Sequence, residues 1–373
     1  MQLSSEDSLR LNVLLNQDLQ AIRIDESKMI IYGLSEKGEA KMQLNPNCRD
    51  ERYLKTVKEL ISSKVLGSPG GYPVFLRRWT RMGQARDESL GRLLQLGEPE
   101  AVIAVVHANG LTDELARRAW WAMPTADNAR SMLKKESVVN GKMGAELAEF
   151  LIEFLPFEEE AKDIIESVRL VLQGNLISAE RRQNLWGRGQ RKNAFLVGFL
   201  FIEADTLPLE KAPHPALDEY REKLATLIKA GNPIARQLHR LLDAPGQAFL
   251  ATVNTVMKKP GNQDVVIALL NAIDDYFSSV KLMPEKDDDI ERIMNTVSGF
   301  INSKTDAALA EVCEALPDAI DMLTAMLVLS AISEQVVNPI FSRSDAIGTL
   351  MRKKLEPVFA PMLQQIQCLS SPA

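Results

Sequence analysis

The sequence predicts a mainly α-helical protein, a helical-hairpin, solenoid-like array preceded by a small N-terminal β-containing unit. Three observations carry this. Apolar residues alternate with period two between Ile22 and Leu44, whereas after Pro46 they recur with the 3.6-residue period of amphipathic helices. Breaks between the later segments are short and hold Gly, Asn or Pro, as in Asn109-Gly110, Gly174-Asn175 and Gly231-Asn232-Pro233; such short breaks make neighbouring helices antiparallel. With 46% hydrophobic and 25% charged residues the chain can bury a real core, which excludes a disordered or collagen-like chain.

Ser4 and Ser5 are placed to cap a short helix running through Leu15. Three strands then follow, carried by Ile22 and Ile24, by Ile30, Tyr32 and Leu34, and by Ala40, Met42 and Leu44. The polar tetrads Asp25 to Lys28 and Ser35 to Gly38 separate them, giving a β-meander. Beyond Pro46, Met143, Leu147, Phe150, Leu151, Phe154 and Leu155 form one helix face ended by Pro156. Val265, Val266, Leu269, Leu270, Ile273, Phe277 and Val280 form another, and Ile290, Ile293, Met294, Val297 and Phe300 a third. The stretch from Phe195 to Ile202 is apolar all round and reads as a buried central helix. Pro357 and Pro361 make the C-terminal end irregular, with Ser370 to Ala373 frayed.

A chain of 373 residues exceeds one ordinary domain. The Pro-rich stretch 205–215, with Pro208, Pro213 and Pro215, reads as a linker. It divides the chain into a 1–46 β-meander unit, a 47–204 helical array and a 216–373 C-terminal helical domain. A weak echo spaced by 65 residues aligns Leu111, Arg117 and Trp121 with Leu176, Arg182 and Trp186.

Composition also limits function. A formal charge of -6 argues against a dedicated nucleic-acid binder, although a local basic patch is compatible with it. Cys48, Cys313 and Cys368 are scattered and form no CxxC pair, as suits a reducing compartment. The acidic start and an apolar run of only Met322 to Ile332 point to a soluble, cytoplasmic chain. His107, His214 and His239 lie far apart and outside any zinc-ligand spacing, and three cysteines cannot hold an iron–sulfur cluster alone. No Walker A, GxGxxG, GxSxG or HExxH string occurs. The glycine-rich run from Gly67 to Pro73 has two prolines and lacks the Lys-Ser/Thr of a phosphate loop, so it reads as a rigid turn. Neither catalytic, metal nor cofactor-binding residues are expected.

Two features can carry a partner or chemistry. Arg77, Arg78, Trp79 and Arg81, with Arg86 and Arg92, form one basic cluster; Arg181, Arg182, Arg188, Arg191 and Lys192 surround Trp186 in a second. Arginine beside tryptophan suits phosphate contact and base stacking, unless these arginines pair with the acidic segment Glu146 to Glu166. Cys48 precedes a helix starting near Arg49, where helix dipole and cation favour thiolate, and Cys368 falls in the tail. Either thiol could carry a persulfide or a mixed disulfide.

Continuous text adds a resemblance. The run EDSLRLNVLLN…AIRIDESKM from Glu6, LGSPGGYPVFLRRWTRMGQARDESL from Leu66 to Leu90, LGEPEAVIAVV, and GLTDELARRAWWAM ending at Met123 resemble the DsrS family. Its members are encoded in the dissimilatory sulfite reductase (Dsr) gene cluster of sulfur-oxidising bacteria. The likeness extends to about residue 205 and weakens beyond it. It implies a cytoplasmic, non-enzymatic accessory or regulatory protein without a known cofactor. Such a protein supports production of the Dsr enzymes after transcription, with Dsr-pathway proteins or their mRNA as partners. It implies neither a membrane nor a small-molecule substrate. An RNA-binding or protein-scaffold helical repeat, and a sulfur relay through Cys48 or Cys368, are the alternatives.

Overall fold

The computed structural model describes residues 3–67, 87–282, 287–343 and 347–370. The chain divides into two compact units, one of Met1–Pro156 with Gln173–Ile177, the other of Phe157–Leu172 with Ser178–Ala373.

The first unit opens with α1 (Ser5–Leu15), capped by the Ser4 hydroxyl, which accepts the Asp7 N–H at 3.0 Å. Strands β1 (Leu19–Asp25), β2 (Ile30–Ser35) and β3 (Gly38–Gln43) form an antiparallel meander in that order. The first turn is held by Asp25, whose carboxylate accepts from the Ser27 hydroxyl at 2.7 Å and the Lys28 N–H at 3.0 Å. Alternation then sorts the faces. Ile22, Ile31 and Met42 join Leu11 and Leu14 of α1 and Tyr53, Leu54, Val57 and Ile61 of α2 (Asp50–Leu66) in one buried core. The 1–46 segment therefore has no core of its own, because a small meander needs a helix to cover its apolar face. Arg23, paired in register with Tyr32, faces the other way.

Among the described residues the unit continues with α3 (Asp87–Leu94), α4 (Pro99–Val106), α5 (Asp113–Ala122), α6 (Ala126–Met132), α7 (Glu136–Val139) and α8 (Lys142–Phe154). The hydroxyls of Thr112 and Thr125 cap α5 and α6. The start of α8 is capped from a distance: the Asp113 carboxylate accepts the N–H groups of Lys142 at 3.1 Å and Met143 at 3.0 Å. Only a glycine fits that approach, since a Cβ at Gly141 would lie 2.1 Å from Asp113 Oδ1. Along α8 the expected apolar face splits. Met143, Leu147 and Leu151 are buried, while Phe150 is half-buried and Phe154 exposed.

The second unit holds α9 (Ala161–Val171), α10 (Ala179–Arg188), α11 (Ala194–Ile202), α12 (Ala216–Lys229), α13 (Pro233–Leu242), α14 (Ala244–Lys258), α15 (Gln263–Tyr276), α16 (Ile290–Ser303), α17 (Ala307–Ala315), α18 (Ile320–Ala331), α19 (Asn338–Phe341) and α20 (Gly348–Leu369). Helix α11 is central, as its uniform apolarity predicts: it packs against α9, α10, α14 and α15. Gly198 lets α9 approach, because a Cβ there would lie 2.6 Å from Val168 Cγ1.

One expectation, an irregular C-terminal end, is corrected below. The Pro-rich stretch 205–215 lies inside this unit, held by Asp205 on Arg240 and by the His214 N–H on the Leu242 carbonyl at 2.7 Å. The C-terminal segment is one continuous helix with Pro357 and Pro361 inside it. Each proline removes one N–H from the ladder, but residues Lys353 and Pro357, four positions earlier, are exposed, so their carbonyls can reach water. Met351, Leu355, Phe359, Met362 and Ile366 meanwhile bury the inner face.

No single helix among the described residues is long and apolar enough to cross a membrane; Pro317–Ala331 and Glu334–Phe341 reach that length and composition only as a pair bent by 76°.

Candidate functional site

A half-exposed cluster of interlocked side chains lies on the outer face of the meander. Register places Arg23 of β1 directly opposite Tyr32 of β2, and α5 packs against β1. The Arg23 guanidinium lies 4.6 Å from the Tyr32 ring centroid and 5.1 Å from that of Trp121. Glu39 of β3 closes the group, 3.6 Å from Arg23 and accepting the Trp121 indole N–H at 2.9 Å. One turn earlier on α5, Arg117 donates to Gln20 at 2.7 Å and to both oxygens of Glu114. Arg118 also donates to Glu114, at 2.8 Å. The hydrogen bond from Arg117 is the largest influence on Glu114, whose carboxyl is held at about 2 against the opposing effect of burial.

In the same unit a cleft of about 420 Å³ is lined by Gln17, Asp18, Gln20, Glu36, Gln95 and Arg118 over Leu19 and Ile22. Gln95 crosses it to donate to the Leu19 carbonyl at 2.6 Å. Its amides and its ion-paired guanidinium offer hydrogen bonds, and Asp18 and Glu36 offer exposed carboxylates.

The sequence-predicted residues fall elsewhere. Arg77, Arg78, Trp79 and Arg81 lie outside the described residues. The second basic cluster is not a stacking surface. Trp186 is 7% exposed and packs edge-to-face on Phe199 at 5.1 Å. Arg182 donates to Glu203 at 2.5 Å and to the Thr206 carbonyl, while Arg181 is exposed. Burial raises the Glu203 carboxyl above its ordinary range in spite of Arg182. The two halves of the echo thus share hydroxyl-capped helices, with Ser178 playing for α10 the part Thr112 plays for α5, but not surroundings: Trp121 is half-exposed where Trp186 is buried.

Cys48 is partly packed against the N-terminal core, with its thiol 3.7 Å from the Arg49 carbonyl. Cys368 lies in the last turn of α20 rather than in a free tail, and burial, then Asp321, pushes its thiol up. His107 caps α4, with Nδ1 3.0 Å from the Ile103 carbonyl. His214 is buried, and its ring Nδ1 accepts the Ala216 N–H at 3.2 Å. Among the described residues no three His, Cys, Asp or Glu side chains gather as a metal-binding group.

Sequence reasoning missed the Arg23 cluster because its members are up to 98 positions apart. The adjacent pair Trp120-Trp121, following Arg117-Arg118 on one short helix, was the available signal. Compared with protein families, with curated proteins and with solved structures, the chain matches none of them.

Proposed function

We propose that this chain is a non-enzymatic accessory protein of cytoplasmic sulfur oxidation, which supports the production or stability of Dsr proteins by holding a partner on its surface. The placement in sulfur oxidation rests on the resemblance of residues 6–123 to the DsrS family. The partner-holding mode rests on one observation, the Arg23–Tyr32–Trp121–Glu39 cluster. Tyrosine, tryptophan and arginine are the residues on which interface energy concentrates. Here they are half-exposed and already fixed by one another, so a partner orders few side chains on binding.

The RNA-binding alternative loses its second cluster, with Trp186 buried and Arg182 engaged. The relay alternative is disfavoured at Cys368, since a raised thiol pKa lowers the thiolate fraction that attacks polysulfide. Deleting the gene in its sulfur-oxidising host is expected to lower Dsr protein amounts while their transcripts persist. Complementation with Arg23→Ala/Trp121→Ala should then restore the chain itself but not the Dsr proteins. Normal Dsr protein amounts beside failed sulfur oxidation would overturn the reading and bring the thiols forward.

A further inference from the structure

Among the described residues an arginine three times lies over an aromatic ring while a carboxylate holds it from the side. Arg23 does so with Tyr32, Trp121 and Glu39. In the second unit Arg169 lies 5.4 Å from the Phe201 centroid and 3.6 Å from Glu166. There too Arg240 lies 3.8 Å from the Tyr276 centroid, with two nitrogens each 2.7 Å from Asp205. The ring face and the carboxylate attract the same cation, and a planar guanidinium satisfies both at once.

On α8 the first two parts recur. Trp120 meets Phe150 edge-to-face, with centroids 4.7 Å apart and planes at 77°, and both rings are half-buried; Phe154 stacks on Phe150 with centroids 5.8 Å apart, so the arginine must use the part of the ring that these two leave open. Glu146 and Glu153 lie four residues before and three after Phe150, which puts all three on one side of the helix. Both glutamates are exposed and make no ion pair among the described residues. The last turn of α8 also has no base. Glu153 therefore sits at the negative end of the helix dipole, where an anion is locally unfavourable and a cation is welcome.

We propose that the α8 face formed by Glu146, Phe150 and Glu153, backed by Trp120, docks an arginine from a basic segment of a partner protein. The two carboxylates repel phosphate, so this face selects polypeptide over nucleic acid. An arginine fits better than a lysine because its plane can stack on the ring while its edge meets a carboxylate. The inference rests on the partner-holding reading above; its test uses purified protein, so it can fail while the effect on Dsr protein amounts stands.

The probe is a fluorescein-labelled peptide of alternating arginine and alanine, titrated with the full chain and followed by anisotropy. Glu146→Gln/Glu153→Gln is expected to weaken binding about ten-fold and to flatten its salt dependence, with Phe150→Leu acting in the same direction. The lysine counterpart should bind several-fold more weakly. Both glutamates are exposed, so their double variant keeps the wild-type urea midpoint and carries the test even if Phe150→Leu lowers it. Equal affinity of the double variant and the wild type, or of the arginine and lysine peptides, would overturn the proposal. So would self-association in sedimentation that the double variant abolishes, since the occupant would then be a second copy of this chain.

Discussion

Asp7 is 1% exposed, yet its carboxyl lies below the ordinary carboxylate range. Burial alone pushes it up, but donors outweigh burial: the Tyr53 hydroxyl, the Asn45 N–H at 3.1 Å, the Asn45 amide at 3.2 Å and the Ser4 cap. This carboxylate joins α1, the end of the meander and α2 through one buried group. A depressed folded pKa contributes stability that is complete above the unfolded value and lost as pH falls through the folded one. Tyr53→Phe should cost roughly 1–3 kcal/mol in urea unfolding at neutral pH, because it leaves a buried carboxylate short of a donor. The difference between wild type and Asp7→Asn should shrink below about pH 4, where the unfolded carboxyl protonates; a difference independent of pH would show that Asp7 is not ionised in the folded state. Tyr276 presents the reverse case. Its ring is stacked on Phe249 with centroids 3.7 Å apart and Arg240 lies over it, but its buried hydroxyl has no hydrogen-bond partner among the described residues. Tyr276→Phe removes that unsatisfied group and keeps the stack, so it should be neutral or stabilise the protein by roughly 1 kcal/mol. Burial likewise pushes the thiols of Cys313 and Cys368 up. Both should alkylate more slowly than free cysteine when labelling is followed by mass spectrometry.

At the scale of elements, apolar pattern decides which helices form, and small residues decide how closely they meet. Helix α11 is apolar throughout and buried from Ala194 to Leu200, and at Gly198 it lies too close to Val168 of α9 for a Cβ to fit. Gly198→Ala should destabilise the chain by about 1–3 kcal/mol, because the new methyl meets Val168 Cβ at 2.7 Å and the Ile165 carbonyl at 3.2 Å rather than a flexible side-chain tip. A thermal midpoint unchanged by this substitution would mean the two helices can separate without cost. The proline-containing α20 makes the complementary point: tertiary burial of one face holds a helix whose ladder is twice interrupted.

The whole molecule is divided differently from its composition. Residues 157–172 belong with α10 to α20, and 173–177 belong with the first unit, where Gln173 donates to the Leu133 carbonyl at 2.6 Å. A fragment of residues 157–373 retains α9 and α11 and should unfold cooperatively in urea. A fragment of residues 216–373 lacks both, exposes the faces of α14 and α15 that pack on α11, and should bind hydrophobic dye and unfold without cooperativity. Cooperative unfolding of the shorter fragment would restore the Pro-rich stretch as a domain boundary.

Local pattern in the chain was enough to specify the meander and its turns, the Ser4 cap, the change of period after Pro46 and the burial of α11. Each of these depends on residues within a few positions of one another, where sterics, caps and periodicity act directly. The sequence also holds the runs between Glu6 and Met123 on which the sulfur-oxidation proposal stands. Long-range packing settles which tryptophan faces outward, that Arg182 is committed to Glu203, that Cys368 is held in a helix, and that Arg23, Glu39 and Trp121 meet. Those outcomes depend on pairings across tens of residues, and the free energy of a side chain there is set by neighbours that local pattern does not specify: a half-exposed indole beside a guanidinium and a buried indole against a phenyl ring begin from the same Arg-x-x-x-Trp pattern.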